Sequence, residues 1–450
     1  MEPTPAALEQ PPAEARPRAE RSLARAGIVT VAATGLTLSV NLVTGVLVAR
    51  VLGPDGRGAL TAVLAAPPII AWIFEMGCVA AATYHQARRP ADAPRLVSTW
   101  LLLCVPLAVV GTVVGELLLP HLLAAQSHHT LVIARLLMLT LLVMFVGDLM
   151  NGVVLGDRDF GFYNAVRVVQ PLTVGLVYGV LWLLGALTVS AAVGVTAGVT
   201  ALATTALGVR VIGRHGMGRP SLDIARRTLW YGVRAHSQST AGLVNTRLDV
   251  MILPAFVGAA SVGLYSVATS ISLMVAGLAG SLVTIVFPTA AARGRDGRFT
   301  VVKSLYATLA IAVFFAGSLA IAADFAVRVV YGRDFAGSVG PLRILLVGAV
   351  LYAGAGVACS GLNALERPFT AALAQLVAAA VTVAGLTLFL ANGGIEAAAI
   401  VSTVAYGMVF VLSLALYRRA ARLAWRELVP APSVMAGWMR QATRGAMGRA

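Results

Sequence analysis

Twelve apolar stretches, each long enough to cross a bilayer as a helix, run from about Arg25 to Tyr417. Fifty-eight per cent of residues are hydrophobic and 12% are charged, and the mean hydropathy is +0.85. A soluble domain cannot bury that much apolar surface. A bilayer can, provided each segment satisfies its own backbone hydrogen bonds as a helix. The pattern predicts an all-α polytopic membrane protein with helices at 26–50, 58–84, 95–119, 129–150, 162–185, 189–212, 228–256, 260–287, 302–330, 340–364, 369–391 and 395–417.

Charge supplies the orientation. Of 34 Lys and Arg, twenty-six fall on the side of the N-terminus under this map, five (Arg50, Arg57, Arg328, Arg333, Arg343) on the other, and Arg135, Arg234 and Arg247 inside helices. That asymmetry is the positive-inside rule, so both termini are expected in the cytoplasm of a bacterial inner membrane. Topology accounts for most of the +15 net charge, and no nucleic-acid partner is expected. Residues 1–24 read as a disordered tail without a cleavable signal. Residues 419–450 are basic, with Trp425 and Trp438 interspersed; they suit either a solvated tail or a short helix on anionic lipids. Cys78, Cys104 and Cys359 read as small buried hydrophobes, and no metal-ligand spacing is visible.

The chain repeats itself. Asn41, Gly53 and Gly58 recur as Asn245, Gly258 and Gly263 at offsets of 204 to 205. The segment Gly156–Phe160 resembles Leu365–Phe369 at an offset of 209, and Val189 aligns with Ile395 at 206. Six helices separate the copies, and an even number preserves direction. The prediction is a parallel repeat: an N-terminal six-helix lobe over 25–212, a linker at 213–227, a second lobe over 228–418, and a central cavity that rocking exposes to each side in turn.

No carboxylate, His or metal cluster marks an enzyme: Glu75, Glu116, Asp148, Asp249 and Asp324 are spread over five helices, and His128-His129 reads as surface. No cofactor is expected. The third of the chain's possible classes, a membrane glycan polymerase or transferase, would need a large outer loop, and every outer loop is short.

Several segments together resemble a known family. They are Tyr231–Gln238, Asn245–Asp249, Gly258–Tyr265, the Leu52-Gly53-Pro54 turn, Tyr331–Phe335 and Leu365–Pro368. The set is similar to the polysaccharide flippases of the multidrug/oligosaccharidyl-lipid/polysaccharide (MOP) superfamily, over about residues 26–418. The resemblance implies two lobes of twelve to fourteen helices and export of isoprenoid-pyrophosphate-linked glycans, commonly coupled to a Na⁺ or H⁺ gradient. Twelve helices set the chain apart from the fourteen-helix lipid II flippases. The resemblance also points to polysaccharide polymerase and glycosyltransferase machinery as partners. A drug/cation antiporter of the same superfamily is the alternative, and its cavity should favour acids and aromatics.

The seventh predicted helix is the most polar. At 100° per residue, Arg234, Gln238, Asn245 and Asp249 share one sector, while His236, Thr240 and Arg247 share the opposite one. Ionised residues near a bilayer centre cost about 2.5–3.5 kcal/mol each on insertion scales, so protein or water should enclose this helix. Arg247, Arg234 and Arg135 are candidate donors to a pyrophosphate, which guanidinium groups bind in bidentate fashion. The competing reading pairs each Arg with a carboxylate or lets it snorkel to the surface. Asn245, its repeat counterpart Asn41, His236 and Gln238 complete the expected substrate-binding set. Asp249 and Glu75 are the candidates for ion coupling, with Asp249 expected to bond Asn245 one turn away. Asp148 and Asp324 read as structural residues near helix ends. Pro67, Pro68, Pro106 and Pro171 are candidate kinks.

Overall fold

The computed structural model describes residues 16–280 and 297–428. Expectations for residues 1–15, 281–296 and 429–450 lie outside them. The described residues form helices joined by short turns, with no strand. We number the helices α1 (Arg16–Phe74), α2 (Cys78–Arg88), α3 (Ala93–Leu122), α4 (His128–Met138), α5 (Leu141–Gly156), α6 (Phe160–Leu183) and α7 (Val189–His215). The numbering continues with α8 (Leu222–Ile252), α9 (Ala259–Gly280), α10 (Gly297–Val330), α11 (Val339–Ala364), α12 (Pro368–Ala421) and α13 (Trp425–Leu428). Helix α1 starts at Arg16, so the helical chain begins inside the segment expected to be disordered. Eight described helices are long and apolar enough to cross a membrane, or nine if α4 and α5, bent by 44° at their junction, count as one span. The chain is a multi-pass membrane protein.

Two glycines break the longest helices. Helix α1 has 59 residues, about 88 Å at 1.5 Å per residue, far more than the ~30 Å hydrocarbon core. It bends at Gly53 (φ 66°, ψ −176°), where only glycine is unstrained. Pro54 restarts the helix, since a first-turn residue needs no N–H donor. Helix α12, 54 residues long, bends likewise at Gly394 (φ 56°, ψ −146°). At Pro67-Pro68, one of the candidate kinks, the backbone stays helical. The break comes instead at Glu75–Gly77, where Met76 and Gly77 take φ of 50° and 73°.

The chain divides into two compact units. Unit 1 holds residues 1–53, 66–119 and 131–236, and unit 2 holds 54–65, 120–130 and 237–450. The division falls within α8, and the expected linker 213–227 belongs to unit 1. In unit 1 the core joins Ala82, Trp100, Leu149, Val153 and Leu207 from α2, α3, α5 and α7. Gly152 lets α5 approach α2, because a Cβ there would lie 2.8 Å from the Val79 carbonyl oxygen and the Ala82 Cβ. The connector after α7 is tied to the start of α3: Gly218 N–H donates to the Pro94 carbonyl (2.9 Å) and Ser221 N–H to the Thr99 hydroxyl (3.0 Å).

In unit 2, α11 packs on α12, with Gly348, Gly354 and Gly361 facing Thr403, Phe410 and Tyr417. The start of the second limb of α1 crosses the start of α9. A Cβ on Gly58 would lie 1.7 Å from the Ala259 carbonyl oxygen, and one on Gly263 would lie 2.0 Å from that of Pro54. A shift of 205 residues exchanges these contacts, carrying Gly58 to Gly263 and Pro54 to Ala259.

Candidate functional site

Helix α8 carries the polar residues the sequence singles out, and burial sorts them. Arg234 and Arg247 are exposed, whereas His236, Asn245 and Asp249 are buried. Arg234 stacks its guanidinium over Trp230, 5.9 Å from the ring centre. Arg247 forms no ion pair among the described residues. The side chain of Gln238 lies outside the described ones. Asn41 is exposed on α1. Arg135 meets the Glu116 carboxylate at 3.3 Å between α4 and α3, the ion-pair arrangement that competes with a cargo role.

Two buried carboxyl groups anchor separate networks. In unit 2, Asp249 is 1% exposed and accepts from the Tyr265 hydroxyl (2.6 Å), the Ser402 hydroxyl (3.0 Å) and the Val250 N–H (2.8 Å). Three donors from α8, α9 and α12 meet the need of a buried carboxylate for partners. The expected bond to Asn245 is absent. Asn245 instead donates from Nδ2 to Gln375 Oε1 on α12 at 3.0 Å, and its own Oδ1 is buried with no hydrogen-bond partner. One-turn spacing puts Asn245 and Asp249 on the same face, but each finds a better-placed partner on another helix.

In unit 1, the break at Glu75–Gly77 organises the second network. Interrupting the helix frees the Trp72 carbonyl, and His236 Nε2 lies 2.7 Å from it. A carbonyl can only accept, so Nε2 carries the proton. The His236 ring also packs on Trp72, with centroids 5.0 Å apart. Helix α8 comes this close because Gly232 faces the break: a Cβ there would lie 2.4 Å from the Met76 carbonyl oxygen. Glu75, 2% exposed, places Oε1 at 4.0 Å from His236 Nε2 and lies beside the Asp148 side chain of α5. The acids, expected to be scattered, are therefore not all apart. Asp148 sits mid-helix in α5 and joins Glu75 across two elements. Asp324, by contrast, pairs with Arg328 one turn on along α10 (2.9 Å).

Four partners in these networks, Tyr265, Ser402, Gln375 and Asp148, are not among the residues expected from the sequence to form a site. Tyr265 lies within the Gly258–Tyr265 segment that carries the family resemblance. Ser402 and Gln375 belong to apolar runs and give no local signal. Cys78 and Cys104 are buried and free as expected, whereas Cys359 is free but only half-buried. Exposed His128 and His129 belong to no metal-binding group, and none of three or more ligands occurs among the described residues.

The fold is that of known transporters. The lipid II flippase MurJ in an inward closed conformation superposes with a TM-score of 0.75 at 15% identity, over 89% of each chain. An inward-facing multidrug resistance MATE family transporter of the MOP superfamily gives 0.70 at 15% identity, over 88% of this chain and 98% of its own. A MOP superfamily transporter from Pyrococcus furiosus gives 0.59 at 14% identity, over 91% and 96%. No curated protein sequence matches the chain. Residues 23–293, more than half of its length, match the family described as polysaccharide biosynthesis protein, and the chain belongs to that family.

Proposed function

We propose that this protein flips isoprenoid-pyrophosphate-linked oligosaccharides from the cytoplasmic to the outer leaflet for cell-surface polysaccharide assembly. The observation that carries the reading is the sorting of charge on α8: Arg234 and Arg247 are exposed while Asp249 is buried and fully bonded. An exposed guanidinium on a membrane helix suits an anionic cargo. The family match supports the glycan as cargo over the drug/cation alternative, which the shared MATE fold leaves as the second reading.

Twelve crossings follow if α1 and α12 each count twice about their glycine breaks, α4–α5 once, and α8 is included. The reciprocal contact of Gly58 and Gly263 supports a parallel repeat, and such a repeat supports alternating access. Coupling to H⁺ or Na⁺ would run through Glu75 and Asp249, the buried carboxyl groups.

Flipping of a pyrophosphate-linked glycan in liposomes tests this. Arg247→Ala should abolish flipping while the protein still inserts and folds. Arg247→Lys should restore only part, because an ammonium keeps the charge but loses the fork. Full activity of Arg247→Ala, together with gradient-driven efflux of an organic cation, would move the assignment to the antiporter class.

A further inference from the structure

At one end of unit 1, away from the α8 residues discussed above, a pocket forms where the end of α2, the turn into α3 and the first turns of α8 meet. It is a small cleft of about 20 Å³ with an open mouth, lined by the polar side chains of His85, Arg89, Asp92, Arg227 and Thr228 over the apolar Leu96 and Ile224. The elements are fixed. Arg89 N–H donates to the His85 carbonyl (2.8 Å), and Asp92 N–H donates to that of Arg89 (3.0 Å). Ties from Gly218 and Ser221 to α3 hold α8 in place. Tyr84 and Tyr231 stack at 4.2 Å, and the His85 ring stands edge-on to both, at 5.3 and 5.9 Å.

One atom in this pocket lacks what its chemistry requires. His85 Nε2 is buried and has no hydrogen-bond partner, so it has given up water without a replacement. Burial, and then the positive charges of Arg227 and Arg89, hold the His85 imidazole below its usual pKa. In the empty pocket the ring is therefore neutral over a wider pH range. Thr228 cannot supply the missing partner, because its hydroxyl donates to the Ile224 carbonyl (2.7 Å). Arg227 is held by Asp223 of its own helix. Exposed i,i+4 pairs of this kind are weak, so Arg227 can turn to a better acceptor. The other charged or titratable groups on the segments that form the pocket are Tyr84 and Arg88 on α2, Arg95 on α3, and Asp223, Arg226 and Tyr231 on α8. Asp92 is the acid in the lining, and its repulsion of an anion is outweighed by the two guanidinium groups of Arg89 and Arg227.

We infer that this pocket binds a terminal phosphate group, a phosphate monoester or inorganic phosphate, held by Arg89, Arg227 and His85. Two guanidinium forks match its oxygens, and its remaining oxygen gives His85 Nε2 an acceptor. The cleft is too small for a glycan, and a phosphate group would sit at its open mouth between the two arginines. The assignment stands whether or not the protein carries glycans. Bound phosphate offsets the positive charge of Arg89 and Arg227 at His85, so the site reports its own occupancy.

The test is a pH titration of the His85 imidazole by NMR in phosphatidylcholine nanodiscs, with the signal assigned through His85→Gln. Phosphatidic acid in the bilayer and inorganic phosphate in solution are added in separate arms. The midpoint should rise by about one pH unit. A rise with phosphatidic acid alone identifies a lipid headgroup, and a rise with both identifies the phosphate group from either source. A rise with inorganic phosphate alone identifies a soluble ligand. The rise should vanish in the Arg89→Gln/Arg227→Gln variant. If that variant does not fold, it should shrink in Arg89→Lys/Arg227→Lys. No shift in either arm, or an undiminished shift in the arginine variants, overturns the inference.

Discussion

A buried carboxylate held by two hydroxyls and an N–H can serve the fold, the transport cycle, or both, and Asp249 lets the two be separated. Tyr265→Phe removes one donor from the group and should cost about 1–3 kcal/mol in thermal unfolding. Asp249→Asn keeps the shape and one acceptor oxygen, so it should fold. If Asp249 couples transport to an ion, flipping by that variant should no longer respond to an imposed gradient, while flipping at equilibrium persists. A gradient response equal to wild type would leave Asp249 a purely structural residue. Helical periodicity placed Asp249 with Asn245 on a polar face, and that placement holds. Its partners were out of reach: Tyr265 and Ser402 lie 16 and 153 residues away, and only tertiary packing brings them together. The same limit hid the proximity of Glu75 and Asp148, two acids 73 residues apart in sequence. Exposure of Arg247, as against burial of Asp249 two residues on, was likewise beyond the sequence, since both lie on polar faces of one helix.

Elements were legible where hydropathy changes and illegible where the backbone bends inside an apolar run. The helical stretches emerged from the apolar pattern, and the turn at Gly53-Pro54 was readable from its residues. The break at Glu75–Gly77 was not, because prolines nine residues earlier offered the stronger local signal. What sets the break is the approach of Gly232. Gly77→Ala should therefore be severely destabilising: the residue needs φ of 73°, and its Cβ would lie 2.4 Å from the Gly232 carbonyl oxygen. Backbone strain alone accounts for about 1–3 kcal/mol. Gly179→Ala, with nothing within 4 Å, should be neutral or slightly stabilising, as for glycine in an open helix face. Melting temperatures in detergent would compare the two. The turn before α6 offers a pH test. Asp159 caps the helix by accepting from Phe162 N–H (3.2 Å) and meets Arg210 at 2.8 Å. Hydrogen bonding to Arg210 holds its carboxyl below the usual aspartate range. Its contribution is therefore complete above the ordinary aspartate pKa and is lost as the pH falls through the lower folded value. Asp159→Ala should cost about 0.5–2 kcal/mol near neutrality, and the gap to wild type should narrow in acid.

For the whole molecule, the proposed direction of transport rests on the distribution of positive charge. Twenty-six of 34 basic residues lie on one face of the map expected from the sequence, and the proposed flipping requires that face to be the one where the cargo is made. The connectors agree with that reading in kind. Those on the basic face carry the arginine-rich ends of α2, α7 and α12, and the turn at 126–128 on the other face is closed by uncharged bonds, Gln126 donating to the Pro254 and Val257 carbonyls. Single cysteines in a background without Cys78, Cys104 and Cys359 can read the orientation directly. Ser127 and Asn392 are exposed and, as cysteines, should react with an impermeant thiol reagent added to intact cells. Met217 is 60% exposed and follows Gly216, whose φ of 72° makes the glycine itself a poor site for substitution. Met217→Cys should react only after the membrane is opened. Labelling of Met217→Cys in intact cells, with Ser127→Cys silent, would invert the map. Because positive charge resists translocation, that result would also leave the basic connectors unexplained by topology and demand an anionic partner outside the cell.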